Sequence, residues 1–188
     1  MTIGVLALQG DFKEHLNSLQ EYKVKSLEVR TPEDLKRVDA LIMPGGESTV
    51  IAKLLVSTGL ADAIIQRSKA GMPVWGTCAG AIVSATKIIS PVPLETCLAL
   101  IDITIERNSY GRHSESFATS LTLGKKTEEV FFIRAPRITK VGKGVKVLLR
   151  YDGDPVLVRG KNVLLSTFHS EFSHPNAVLE YFLTMNDN

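Results

Sequence analysis

A cysteine set between two glycines, and a histidine followed two residues later by a glutamate, are the residues best suited to covalent chemistry in this 188-residue chain. Gly76-Thr77-Cys78-Ala79-Gly80 follows the apolar run Met72-Pro73-Val74-Trp75 and precedes the small-residue stretch Ala81 to Ala85. That order reads as a strand, a tight Gly-x-Cys-x-Gly turn and a helix: a nucleophile elbow with sulfur in place of a hydroxyl. A turn this sharp leaves no room for side chains beside the nucleophile, hence the glycines. Placing Cys78 where the helix begins favours thiolate over thiol, because free N–H groups and the positive end of the helix dipole lie there. Near the other end, Asn162 to Phe168 reads as a strand that delivers His169-Ser170-Glu171. Residues two apart in extended chain face the same side, so a carboxylate can fix the tautomer of the imidazole and stabilise its protonated form. Cys78, His169 and Glu171 would then act as nucleophile, base and orienter in acyl transfer. The developing oxyanion needs N–H donors, for which Gly45, Gly46 and the amide of Ala79 are suited.

These residues are useful only if the fold gathers them. Thr2 to Leu8 is an almost unbroken apolar run, as in a strand buried on both faces. Asp11 to Tyr22 carries Phe12, Leu16 and Leu19 at helical spacing, with Asp11 as N-cap. Val24 to Val29 predicts a second strand, and Thr31-Pro32-Glu33-Asp34 opens a short helix with proline in its first turn. Ala40 to Met43 predicts a third strand, ended by Pro44-Gly45-Gly46; helices over Glu47 to Ser57 and Leu60 to Ala70 lead to the elbow strand. Repeated β-α units imply right-handed crossovers: an α/β fold with three layers, a mostly parallel central sheet flanked by helices. In such sheets the site lies outside the carboxyl ends of the strands, where Gln9-Gly10, Pro44 to Ser48, Cys78 and His169 all fall. From Leu94 to Gly160 the pattern changes. Ile101 to Glu106 alternates, with Ser116 to Leu123 as its expected partner. Val130 to Ile133, Ile138 to Val141, Val145 to Tyr151 and Pro155 to Val158 predict further short strands, a mixed or antiparallel extension of the sheet. Pro175 to Met185 predicts a closing helix with Val178, Leu179 and Phe182 inward.

Composition narrows the functional classes. Hydrophobic residues at 44% and charged residues at 22% fit a single globular domain, 1–188. A net charge of +2 without a dense basic run argues against nucleic-acid binding. Two cysteines, Cys78 and Cys97, give no disulfide framework and suit a reducing cytosol. Asp11 and Lys13 come too early for a signal peptide, and Glu95 and Asp102 interrupt the most apolar stretch, so no membrane span is expected. A soluble cytoplasmic protein is the expectation.

Pro44-Gly45-Gly46-Glu47-Ser48, the Cys78 elbow and the terminal His169-x-Glu171, in that order, resemble a class I, triad-type glutamine amidotransferase, whose central sheet is flavodoxin-like. Gly4 to Phe12, Glu106-Arg107-Asn108-Ser109-Tyr110-Gly111-Arg112 and Phe132-Ile133-Arg134-Ala135-Pro136 further resemble the glutaminase subunits of pyridoxal 5'-phosphate synthase, over essentially the whole chain. The resemblance implies hydrolysis of L-glutamine to glutamate and ammonia through a thioester on Cys78. The ammonia would pass to a separate synthase subunit, in a hetero-oligomer that builds the vitamin B6 cofactor from a pentose phosphate and a triose phosphate. It assigns glutamine binding to Gly46, Glu47, Ser48, Arg107, Ile133 and Arg134; an arginine fork suits the substrate's α-carboxylate. It calls for neither cofactor nor metal, and it attaches lyase as well as hydrolase chemistry to the chain.

This chain departs from that pattern in two places. Ser170 stands where proline is common between the triad histidine and glutamate, and His113 where glutamine is usual after the second arginine of the Arg107 tract. Neither His113 nor the His174-Pro175 pair is expected to catalyse. Cys97 is expected in the core or a loop, and His15 to pack or meet a partner. Two alternatives remain: a DJ-1-like cysteine hydrolase or stress protein, many of which place histidine where Ala79 stands here, and a silent regulatory partner.

Overall fold

The computed structural model describes residues 1–107 and 116–185. The first half alternates as its patterning requires: β1 (Thr2–Leu6), α1 (Phe12–Glu21), β2 (Lys25–Val29), α2 (Pro32–Leu35), β3 (Ala40–Met43), α3 (Ser48–Ser57), α4 (Leu60–Lys69), β4 (Val74–Thr77) and α5 (Ala79–Ser84). The second half is strand-rich: β5 (Ala85–Ile89), β6 (Ile101–Glu106), β7 (Phe117–Leu123), β8 (Lys126–Phe132), β9 (Arg137–Val141), β10 (Lys146–Tyr151), β11 (Asp154–Arg159) and β12 (Val163–Ser166), before α6 (Ala177–Thr184). Seven strands form the main sheet in the order β10-β11-β12-β4-β3-β1-β2. β2, β1, β3, β4 and β12 run parallel, and β11 and β10 extend the sheet antiparallel.

Period-two alternation along each central strand divides the core into two layers. Leu41, Met43, Val74 and Leu165 face one side, packed with Ile51 and Leu55 of α3 and Ile64 of α4. Their neighbours Ile42, Trp75 and Leu164 face the other, against Leu19 of α1 and Val178, Leu179 and Phe182 of α6. Both layers are dry, which is why these strands read as continuous apolar runs.

Four expectations need correction. Asp11 occupies the N-cap position of α1 but makes no side-chain capping bond, because its carboxylate turns toward the site instead. Thr31 does cap α2, in a reciprocal box with Asp34, worth about 1 kcal/mol. The elbow strand starts at Val74 rather than Met72, since it pairs with β12 through Thr77 opposite Ser166. The partner of β6 is not β7. β6 lies between β5 and β9 in a separate three-stranded sheet, while β7 and β8 form their own hairpin. Strand β5 was not expected. It begins at once after the six-residue α5, where the Ser84 hydroxyl donates back to Gly80 O at 2.7 Å and ends the helix.

The β7–β8 hairpin grips α6 through Glu128. This carboxylate is only 4% exposed and accepts the Ala177 N–H at 2.6 Å, at the start of the helix. Burial pushes its pKa from 4.5 up to about 7, against the opposing pull of the Ala177 and Val178 amides. Folding therefore holds a proton there between those values. The stability it contributes is full below pH 4.5 and is lost as pH rises through about 7. Glu128→Gln is expected to flatten that decline, on the order of 2 kcal/mol between pH 5 and 8. Urea denaturation at both pH values checks it; an unaltered difference would refute the assignment. Among the described residues no single helix is long and apolar enough to cross a membrane; α3 and α4 together reach that length but meet at 90°.

Candidate active site

Cys78 sits at the bend between β4 and α5 with φ +46° and ψ −101°, a conformation costing a non-glycine residue about 1–3 kcal/mol. Its amide donates to Ser166 O at 2.9 Å, which fixes the bend against β12. Gly80 lies so close to β3 that a Cβ there would overlap the Met43 carbonyl. Packing therefore demands the glycine that the turn chemistry suggested.

His169 arrives from the far end of the chain. Its backbone is held by β8: His169 N–H donates to Phe131 O at 2.8 Å and Phe131 N–H to His169 O at 3.0 Å. Its Nδ1 lies 2.6 Å from Glu171 Oε1, which leaves Nε2 as the nitrogen available to Cys78, whose thiol acts on the ring. Ring and carboxylate are both buried. Burial alone would lower the pKa of His169, but the hydrogen bonds and charges of Cys78 and Glu171 outweigh it and raise the pKa to about 11. The ring is thus an imidazolium at neutral pH, the partner that a thiolate requires. Burial opposes ionisation of Glu171 too, yet its pKa is lowered. Since burial also keeps His15 from charging, the counter-ion of Glu171 is His169. Asp11 Oδ2 stands 3.6 Å from Nδ1 of the same ring, and burial raises its pKa.

Around Cys78 the fold opens a cleft lined by Gly46, Glu47, Ser48, Ile82, Arg107, Ile133 and Arg134 as well as Cys78. Every residue that the resemblance assigned to glutamine lies on its wall. Ile82, one turn along α5, is an addition. Arg107 is largely buried and donates from Nη2 to Glu47 Oε1 at 3.0 Å and from Nη1 to Ser90 Oγ at 3.1 Å. Glu47 also accepts from Thr49. Against the effect of burial, these bonds and the charges of Arg107 and Arg134 hold its pKa below the usual range. Arg134 has φ +45°, beyond the end of β8, and Ile133 O lies 4.0 Å from Cys78 Sγ. Gly45 abuts the His169 ring so closely that a Cβ there would overlap it. Gln9 Oε1 accepts the Glu47 N–H at 2.8 Å, which ties the end of β1 to the loop after β3.

The remaining candidates fall elsewhere. Cys97 is exposed, and His174 pairs with Glu21 at 3.2 Å on the surface. Asn108 to Arg112 and His113 lie outside the described residues. Sequence reasoning missed His15 and Thr77 as neighbours of the site. His15 lies on the inward stripe of α1, with buried Leu19 and partly buried Phe12 and Leu16, and that spacing was the available signal.

A parallel sheet with a cysteine elbow, and an imidazole–carboxylate pair delivered to the same rim, define the class of thiol-dependent acyl-transfer proteins. Within it, the chain belongs to the SNO glutamine amidotransferase family, whose model matches residues 5–188. A "Pyridoxal 5'-phosphate synthase subunit PdxT" of Pseudothermotoga lettingae is 47% identical over 188 residues, covering 98% of this chain and 95% of the relative. The protein so described from Tropheryma whipplei (strain TW08/27) is 46% identical over 184 residues, 97% of each. A crystal structure described as a glutamine amidotransferase superposes with a TM-score of 0.93 at 42% identity, covering 99% of both chains. A Thermoplasma acidophilum protein described as part of a GMP synthase shares the fold, with a TM-score of 0.69 at 14% identity over 98% of this chain and 93% of that one. The three-layer, mostly parallel architecture is therefore that of the glutamine amidotransferases. The expectation of lyase chemistry is overturned by the family match: an amidotransferase adds a nucleophile to a carbonyl carbon and then water, and eliminates nothing across a carbon–carbon or carbon–heteroatom bond.

Proposed function

We propose that this protein is the glutaminase subunit of a pyridoxal 5'-phosphate synthase: it hydrolyses L-glutamine and hands the ammonia to a separate synthase subunit. The observation that supports this reading is Cys78 on the wall of the cleft, with the buried His169 ring acting on it and Glu171 2.6 Å from that ring, in a chain of this family. The Cys78 thiolate attacks the carboxamide carbon, and the amides of Ala79, Gly45 and Gly46 receive the oxyanion. Protonated His169 gives its Nε2 proton to the departing nitrogen, the C–N bond breaks, and ammonia leaves a glutamyl thioester. Neutral His169 then takes a proton from water as the hydroxide adds; the C–S bond breaks, and glutamate, thiolate and imidazolium are regenerated. Glu171 holds the ring throughout. Arg107 and Arg134 serve the substrate's α-carboxylate, and Glu47 its α-ammonium.

The whole of 1–188 acts as one amidotransferase domain, in the cytoplasm. Ammonia freed without an acceptor is wasted, so activity depends on the partner. Glutamate release from glutamine is therefore expected to be slight for the isolated chain. It should rise on adding the synthase subunit, which should then make pyridoxal 5'-phosphate from glutamine, a pentose phosphate and a triose phosphate. Absence of glutamate release in the assembled complex would overturn the proposal.

A further inference from the structure

His15 is a buried titratable group that the mechanism above does not use. Its residue is 1% exposed, and its ring stands edge-on to Trp75, with centroids 5.3 Å apart and planes at 86°. His15 Nε2 lies 3.3 Å from Thr77 Oγ1, on the strand that presents Cys78, and 3.7 Å from Glu171 Oε1. That oxygen is the one bonded to His169 Nδ1. The other carboxylate oxygen, Oε2, is buried and has no hydrogen-bond partner among the described residues. Two imidazoles, from α1 and from the segment after β12, thus converge on a single oxygen.

We propose that His15, aligned by Thr77, is a positioning residue that steadies Glu171 Oε1 while His169 is without its extra proton. The need follows from the catalytic cycle. Once His169 has protonated the leaving nitrogen, Glu171 is a buried carboxylate without a counter-ion, the costliest condition for such a group. At 3.7 Å, His15 is in electrostatic contact rather than hydrogen-bonded, and little water is present to screen it. Burial lowers the pKa of His15 despite the charge of Glu171, so the ring is neutral and offers an N–H dipole rather than a competing charge. The titratable groups bearing on this pair are Asp11 and Glu14 from α1 and its approach, His169 beside Glu171, and Cys78 beyond it.

The inference rests on the glutaminase reading only for its turnover measurement, so a second readout is chosen that needs no substrate. In a Cys97→Ser background, which removes the exposed thiol, iodoacetamide alkylation of Cys78 is followed against pH. His15→Phe keeps the ring contact with Trp75 but removes the N–H; His15→Gln restores a donor of similar reach. The expected result for His15→Phe in the synthase complex is about a tenfold loss of kcat with KM unchanged. The alkylation midpoint should move down by roughly half a pH unit, because without the His15 dipole Glu171 holds the proton on His169 more firmly and favours the thiolate–imidazolium pair. His15→Gln should recover most of both. Wild-type values of both readouts in His15→Phe would overturn the proposal. So would equal losses in His15→Phe and His15→Gln with lowered melting temperatures and no pH shift, since those mark packing alone. Should His15→Phe fail to fold, Thr77→Val decides in the same two measurements, by a smaller change in the same direction or by none. A shifted alkylation profile together with a wild-type complex that releases no glutamate would leave the positioning role standing and remove the substrate assignment.

Discussion

Cys78→Ala is expected to abolish glutamate release, a loss on the order of 10⁵-fold or more, while melting within about 3 °C of the wild type. The size follows from the chemistry: without sulfur no thioester forms, and what remains is water beside a few oriented donors. The intact fold follows from the local structure. Alanine keeps the Cβ and accepts the same φ of +46°, the amide still reaches Ser166 O, and the sulfur removed belongs to a residue 7% exposed at the edge of a cleft rather than in a packed core. Added ammonium salts provide a control. The synthase complex carrying Cys78→Ala should still make product from free ammonia, which places the defect in glutamine cleavage alone. Near wild-type turnover of glutamine by this variant would end the account of the mechanism.

His169→Asn is expected to lose about 10³–10⁴-fold in kcat, with KM changed much less. One ring both supplies the proton for the departing nitrogen and activates water, so two steps fail together. Asparagine retains the backbone bridge to Phe131 and can still meet Glu171, so the loss reports proton transfer rather than disorder. Cys78 should also become sluggish toward iodoacetamide at neutral pH, because its cationic neighbour is gone. A variant that keeps fast alkylation but loses turnover would place the activation of sulfur elsewhere, with the turn amides as the next candidates.

How much of this was legible from residues alone depends on whether the signal was local. Ala40 to Met43 was found to the residue, and the inward trio of α6 was correct, because periodicity records which face is dry. The Cys78 turn was legible because its signature is complete within five residues, although what demands Gly80 is the Met43 carbonyl on β3. Partnership between strands was not. Alternation over Ile101 to Glu106 shows that one face is exposed but does not say which strand lies beside it, and β5 and β9 took the places assigned to β7. Ala81 to Ala85 read as helix throughout; a back-bonded Ser84 and the neighbouring β6 turned its end into strand. Asp11 illustrates the same limit at the site. By type and position it is an N-cap, but a histidine 158 residues further along the chain draws its carboxylate away.

On the proposed mechanism, the pair of backbone bonds between Phe131 and His169 would tie catalysis to substrate recognition mechanically. The ribbon that carries Ile133 and Arg134 to the cleft is also the splint on which the imidazole rests. Adding or deleting one residue in that ribbon would turn the side chains beyond the change to the opposite face and shift the histidine's anchor by a step. Loop grafting aimed at admitting a different amide would therefore retune the base as well, so pocket and base must be redesigned as one unit.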